Sequence, residues 1–165
     1  MLKIVATKDK LFELTDNAGT FLGKLQYENW LNSKASITTQ YGEFYDLTNK
    51  GFWKSHVEVE KGGDIFADLR HNWRGNVIID IKDTDIEKDF LVTKRGFWKQ
   101  YFVLLDRNEQ TIMTLTPAGK WYNQSSFHVE ITAGFETIVN ETMILLAVFG
   151  ANGIKQRKRA AAAAA

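Results

Sequence analysis

The chain has no cysteine among its 165 residues, which rules out a disulfide framework and any thiolate metal site. That absence suits a reducing compartment, so a cytoplasmic location is expected. Proline is almost missing too. With Pro117 alone, nearly every residue can donate its backbone N–H to a ladder. Neither sign of charge dominates: 21 Lys and Arg stand against 20 Asp and Glu, a net charge of +1. Non-specific phosphate binding needs a larger basic excess, so no nucleic-acid partner is expected, and any contact with an anionic membrane must be peripheral and come from local patches. Long hydrophobic runs are lacking as well. Met143 to Phe149 falls far short of the roughly 18 apolar residues that span a bilayer. Met1 to Thr7 shows no small-residue cleavage pattern and does not read as a secretory signal.

What is present fits a folded globular protein: 44% hydrophobic residues, 13% aromatic and 25% charged. A chain of this length buries roughly two thirds of the surface its unfolded form exposes. One domain is expected over residues 1–154. The remainder, 155–165, combines the basic run Lys155-Gln156-Arg157-Lys158-Arg159 with six alanines, and is expected to be disordered or appended.

The most specific signal is internal repetition. Lys50-Gly51-Phe52-Trp53-Lys54 recurs as Arg95-Gly96-Phe97-Trp98-Lys99, 45 residues later. Upstream, Leu47 and Thr48 match Val92 and Thr93, so the repeat covers a strand as well as a turn. Downstream, an alternating strand, a polar turn and a second alternating strand lead to a tryptophan three times. Phe12, Leu14 and Asp16 lead to Trp30; Val57 and Val59 to Trp73; Phe102, Leu104 and Asp106 to Trp121. Period-two alternation between polar turns marks half-buried antiparallel strands. With Leu2 to Ala6 as an opening strand, the total comes near twelve, in units of about four. Closing such a meander into a barrel removes its vulnerable edges.

The third unit departs from the pattern where a third Gly-Phe-Trp-Lys is due. There the chain reads Glu136 to Gly150, strongly apolar from Met143 onward. Asn140 or Glu141 is placed to begin a helix, and Gly150 or Gly153 to end it. A helix apolar all round is expected to be buried all round, and a barrel of about twelve strands has a lumen wide enough to need filling. Periodicity alone leaves Met143 to Phe149 open as a buried strand. The expected fold is therefore mainly β: about twelve antiparallel strands in a barrel enclosing one hydrophobic C-terminal helix. Three units of four strands also describe a β-trefoil, which stands as the alternative.

The strand ladder with its Phe12-Glu13-Leu14-Thr15-Asp16-Asn17-Ala18-Gly19 turn, closed by Thr142-Met143-Ile144-Leu145-Leu146-Ala147-Val148-Phe149-Gly150, resembles the tubby C-terminal-like superfamily. That group includes the plant LURP-one-related proteins and the phospholipid scramblases. The resemblance lies in pattern and order and spans most of residues 1–154. It implies a twelve-stranded barrel around a hydrophobic helix, and phosphoinositide binding through basic residues on the barrel. The cysteine-rich segment, proline-rich tail and calcium loop of a scramblase are missing here.

Candidate sites follow from the repeats. Lys50, Lys54, Lys94, Arg95 and Lys99 flank the two motifs. On one rim they would receive an anionic lipid headgroup or a protein partner, with Trp53 and Trp98 resting at the interface. The competing reading packs the aromatics into the core and leaves the lysines solvated. The basic run 155–159 reads as a solvated tail or a cationic contact. Asp80, Asp83, Asp85, Glu87 and Asp89 form an acidic hairpin that lacks the glycine and spaced glutamate of a calcium loop. His56, His71 and His128 follow no metal-ligand spacing, and no nucleophile elbow or phosphate loop is present. No catalytic residue, metal or cofactor is expected. The function expected is a non-enzymatic binding module. Its alternatives are a lectin-like trefoil that binds carbohydrate or protein, and an enzyme whose site follows no familiar motif.

Overall fold

The computed structural model describes residues 1–8, 10–29, 34–50, 56–82, 88–119 and 126–164. Twelve strands follow in order: β1 Leu2–Lys8, β2 Leu11–Thr15, β3 Phe21–Asn29, β4 Lys34–Thr39, β5 Phe44–Asn49, β6 His56–Lys61, β7 Asp64–His71, β8 Val77–Ile81, β9 Lys88–Arg95, β10 Tyr101–Leu105, β11 Thr111–Pro117 and β12 Phe127–Ile131. One helix, α1 Glu141–Ala164, completes the chain. Each strand pairs antiparallel with the next, and β1 pairs with β12, so the sheet closes into a barrel. The trefoil alternative is thereby excluded: one unbroken meander surrounds a helix.

The repeat maps onto this ring as β2–β5, β6–β9, and β10–β12 with β1 supplying the fourth strand. The first turn of the first and third units is built by one residue type. The Asp16 side chain accepts hydrogen bonds from the N–H groups of Ala18 and Thr20, and Asp106 accepts from Asn108 and Gln110, all at 2.8–2.9 Å. A carboxylate that folds back on its own turn fixes the hairpin locally.

Alternation decides which side chains meet in the lumen. Leu25 and Tyr27, Ala35 and Ile37, Val57 and Val59, Ile79 and Ile81, Phe90 and Val92 all point inward and are buried. The outer face of β6–β9 carries an acidic row. Glu58, Asp68, Asp80 and Asp89 lie side by side across β6–β9. Lys50, Lys82 and Arg107 partly neutralise this row, and His56 hydrogen-bonds to Asp68 within it.

Helix α1 fills the lumen. Asn140 caps it, its side chain accepting from the Met143 N–H at 3.0 Å, and Glu141 sits in the first turn where a negative charge suits the helix dipole. The Gln40 side-chain amide donates to Glu141 at 3.0 Å and pins this end to the β4–β5 turn. Thr142 to Asn152 and Ile154 are buried. Inside, Phe149 stacks on Tyr27 with ring centroids 5.5 Å apart, and the Asn152 amide donates to the Tyr27 hydroxyl at 3.2 Å. At roughly 1.5–3 kcal/mol for each fully buried large apolar side chain, Met143, Ile144, Leu145, Leu146, Val148 and Phe149 contribute on the order of 10 kcal/mol gross. That rivals the whole net stability of a domain, so the barrel depends on its plug.

The helix does not end at Gly150 or Gly153 but continues to Ala164, which puts residues 155–164 in the helix rather than in a disordered tail. Both glycines serve close approach. A Cβ on Gly150 would sit 3.3 Å from Val77 and Val92, and one on Gly153 would sit 3.3 Å from the His71 ring. A glycine inside a helix costs only about 1 kcal/mol, which tight burial offsets here.

Candidate functional site

Because the strands alternate in direction, the turns after β5, β7 and β9 share one rim, and those after β2, β4, β6 and β10 share the other. Helix α1 starts at the second rim and leaves through the first. That exit rim carries the concentrated chemistry.

A groove of about 540 Å³ opens where α1 emerges, lined by the β7–β8 turn (Trp73, Arg74, Gly75, Asn76), the end of β9 (Lys94, Arg95, Gly96) and α1 (Ile154, Arg157, Lys158, Ala161). Each wall has a local cause. Phe90 and Val92 face inward, and Lys94 takes the next inward place at the barrel mouth, opposite the buried Phe102. Ile154, Arg157, Lys158 and Ala161 recur at helical spacing and so share one face. The Asn72 side chain accepts from the N–H groups of Arg74 and Asn76, both at 3.0 Å, and Asn76 accepts from the Thr93 hydroxyl at 2.9 Å, tying the turn to β9.

Five cations line the groove and none of the described residues lining it is acidic. The crowding of like charge shows in the titrating groups. Burial, with the neighbouring Lys158, pushes Lys94 down to about 8. Burial also lowers Lys155 to about 8, with Arg159 adding to the effect; its ammonium lies 4.4 Å from the Phe127 ring centroid and 5.7 Å from that of Phe102. His71, against Gly153 on the helix, is lowered to about 4 by burial and by Arg157.

Beside the groove stand three unburied aromatics: Trp73, Phe97 and Trp98 are 88%, 86% and 81% exposed. Arg74 lies over the Trp73 ring at 4.8 Å, and Phe97 meets Trp98 edge to face at 5.4 Å. Gly96 makes this turn possible. Its φ is +80°, and a Cβ there would lie 2.1 Å from the Lys99 carbonyl oxygen, so only glycine fits.

Of the residues singled out in the motifs, Lys94 and Arg95 enter the groove, while Trp98 and Lys99 lie exposed in the adjoining turn. Lys50 follows β5 at this rim, but its ammonium pairs with Glu58 on the outer wall at 3.8 Å. Trp53 and Lys54 lie outside the described residues. Arg157 and Lys158 join the motif residues because the helix runs past its expected end, and Arg74 because the β7–β8 turn stands beside the end of β9.

The other clusters disperse. His56 points outward and bonds to Asp68 at 2.7 Å, whereas His71 points in against the helix, and His128 is exposed on β12. In the acidic hairpin, Asp80 pairs across from Asp89, and burial together with that carboxylate raises the Asp80 pKa; residues 83–87 lie outside the described residues. Among the described residues no group of His, Asp and Glu is arranged to hold a metal, and no helix is long and apolar enough to cross a membrane. Comparison with known proteins finds no matching family model, no matching curated protein and no matching solved structure.

Proposed function

We propose that the protein is a non-enzymatic binding module of the tubby-like kind that seats its exit rim on an anionic membrane surface from the cytoplasmic side. Lipid phosphates enter the groove between Arg74, Lys94, Arg95, Arg157 and Lys158, and Trp73, Phe97 and Trp98 rest among the headgroups. The observation that carries this reading is the meeting, on one rim, of a cationic groove without a carboxylate and three aromatics left in water. Exposed tryptophans beside cations are costly for a purely aqueous surface and natural at a membrane interface.

The magnitudes fit peripheral contact. At about 1 kcal/mol for each cation near an anionic leaflet, five give about 5 kcal/mol, a dissociation constant on the order of 0.2 mM. The aromatic trio brings this into the micromolar range. Vesicle flotation tests the reading: the protein floats with phosphatidylcholine vesicles that contain phosphatidylserine, and stays behind with phosphatidylcholine alone. The bound fraction falls as salt shortens the screening length from about 10 Å toward 3 Å. Equal binding to both vesicle types, or binding to neither, overturns it.

A further inference from the structure

We propose that Lys94 is a nucleophilic amine, and that the groove around it is a covalent docking site for a small anionic aldehyde held as a Schiff base. The proposal shares the groove with membrane binding but does not rest on it.

The geometry sets Lys94 apart from the outward-facing lysines. Strand alternation turns it into the barrel mouth, in a groove lined also by Lys158 and Arg157 of α1, Arg74 of the β7–β8 turn and Arg95, with Phe102 opposite on β10. No carboxylate lines the groove to hold the ammonium form. An amine beside another cation and partly withdrawn from water is the arrangement that activates lysine toward carbonyl carbon. Lowered to about 8, Lys94 is roughly one tenth neutral at pH 7, against less than a thousandth for an ordinary lysine. Lys155 is lowered as far, but it lies over the Phe102 and Phe127 rings, away from the open groove. The surrounding guanidinium groups draw in an anion, and about 540 Å³ lies within the range of small-molecule sites.

The step balances without a redox partner. The Nζ lone pair attacks the aldehyde carbon, a proton passes from nitrogen to oxygen, and the carbinolamine loses water to give the imine. Hydrolysis reverses it. Because the ligand brings negative charge among the four remaining cations, the imine is held more firmly here than on an isolated lysine.

Pyridoxal 5′-phosphate with sodium cyanoborohydride is the probe, the reagent's hydride reducing the imine to a stable secondary amine that peptide mass spectrometry locates on the full chain. Lys94 is expected to label at least tenfold faster than the outward-facing Lys24, with saturation in the probe, slowing by inorganic phosphate, and about a tenfold fall in rate per pH unit below 8. Lys94→Arg removes that label and leaves Lys24 at its own rate. Lys158→Ala slows Lys94 severalfold by removing the neighbouring charge. Labelling of Lys94 no faster than Lys24, a rate linear in probe, a principal label on Lys158, or indifference to Lys158→Ala overturns the proposal.

Discussion

Truncating Leu145 tests the packing on which the fold depends. Leu145 is fully buried in α1, and its Cδ1 lies 3.1 Å from where a Cβ on Gly23 of β3 would stand. Leu145→Ala leaves a cavity that a closed barrel cannot collapse around, at a cost of about 3 kcal/mol within the usual range of 2–5. For a chain of this size that lowers the melting temperature by about 6–12 °C. Gly23→Ala alone costs about 1–2 kcal/mol, because the added methyl presses both on Leu145 and on the Thr38 carbonyl oxygen, each 3.1 Å away. In the double variant the pressure from Leu145 is gone and the methyl occupies part of the cavity. The combined loss should then fall short of the sum by about 1 kcal/mol. Urea unfolding followed by tryptophan fluorescence, with unchanged m-values, measures the cycle. Additivity within about 0.5 kcal/mol, or a cost below about 1 kcal/mol for Leu145→Ala, would refute the placement of α1 against β3.

Arg95→Gln combined with Arg157→Gln removes two of the five groove cations, about 2 kcal/mol, and should weaken binding to anionic vesicles about 30-fold in a flotation titration while leaving the melting temperature within a few degrees. Gly96→Ala forces a side chain into the left-handed region and against the Lys99 carbonyl; it should reshape the 96–100 turn, visible as altered amide shifts confined to the exit rim, and reduce vesicle binding. His71, lowered to about 4 by burial and Arg157, binds a proton in the unfolded chain between about pH 4 and 6.5 but not in the folded one. Stability therefore falls as pH drops through that window, and His71→Asn should flatten the slope of unfolding free energy against pH. The raised Asp80 pKa acts with the opposite sign and is common to both proteins, so the difference in slope isolates His71.

Much of the fold was legible because it follows from period and repetition. Alternation in each four-strand unit located the strands, and the 45-residue repeat marked the matching strands β5 and β9, which end at the same rim. The all-round apolarity of Met143 to Phe149 marks a buried segment that the sequence leaves open as helix or strand; in the structure it is helix, capped by Asn140, one of the two starts the sequence offers. The helix end was not legible. Gly150 and Gly153 look like terminators in a linear pattern, yet they are the places where α1 passes tightest beside Val77, Val92 and His71, a cause visible only in three dimensions. The same gap obscured half of the groove. Lys94 and Arg95 could be named from the motif, but Arg157 and Lys158 join them only because the helix continues, and Arg74 only because the β7–β8 turn stands next to the β9–β10 turn. Lys50 stands apart from the groove, its ammonium paired with Glu58 of the neighbouring strand β6.

The proposed seating of the exit rim on an anionic membrane predicts a distinct protection pattern. Hydrogen exchange of the full chain, with and without phosphatidylserine-containing vesicles, tests it most directly. Slowed exchange is predicted at residues 72–76, 94–99 and 154–161, with no change in the opposite turns at 16–20, 40–43 and 106–110. Protection centred on those opposite turns, or spread along the polar outer wall of β6–β9, would contradict it.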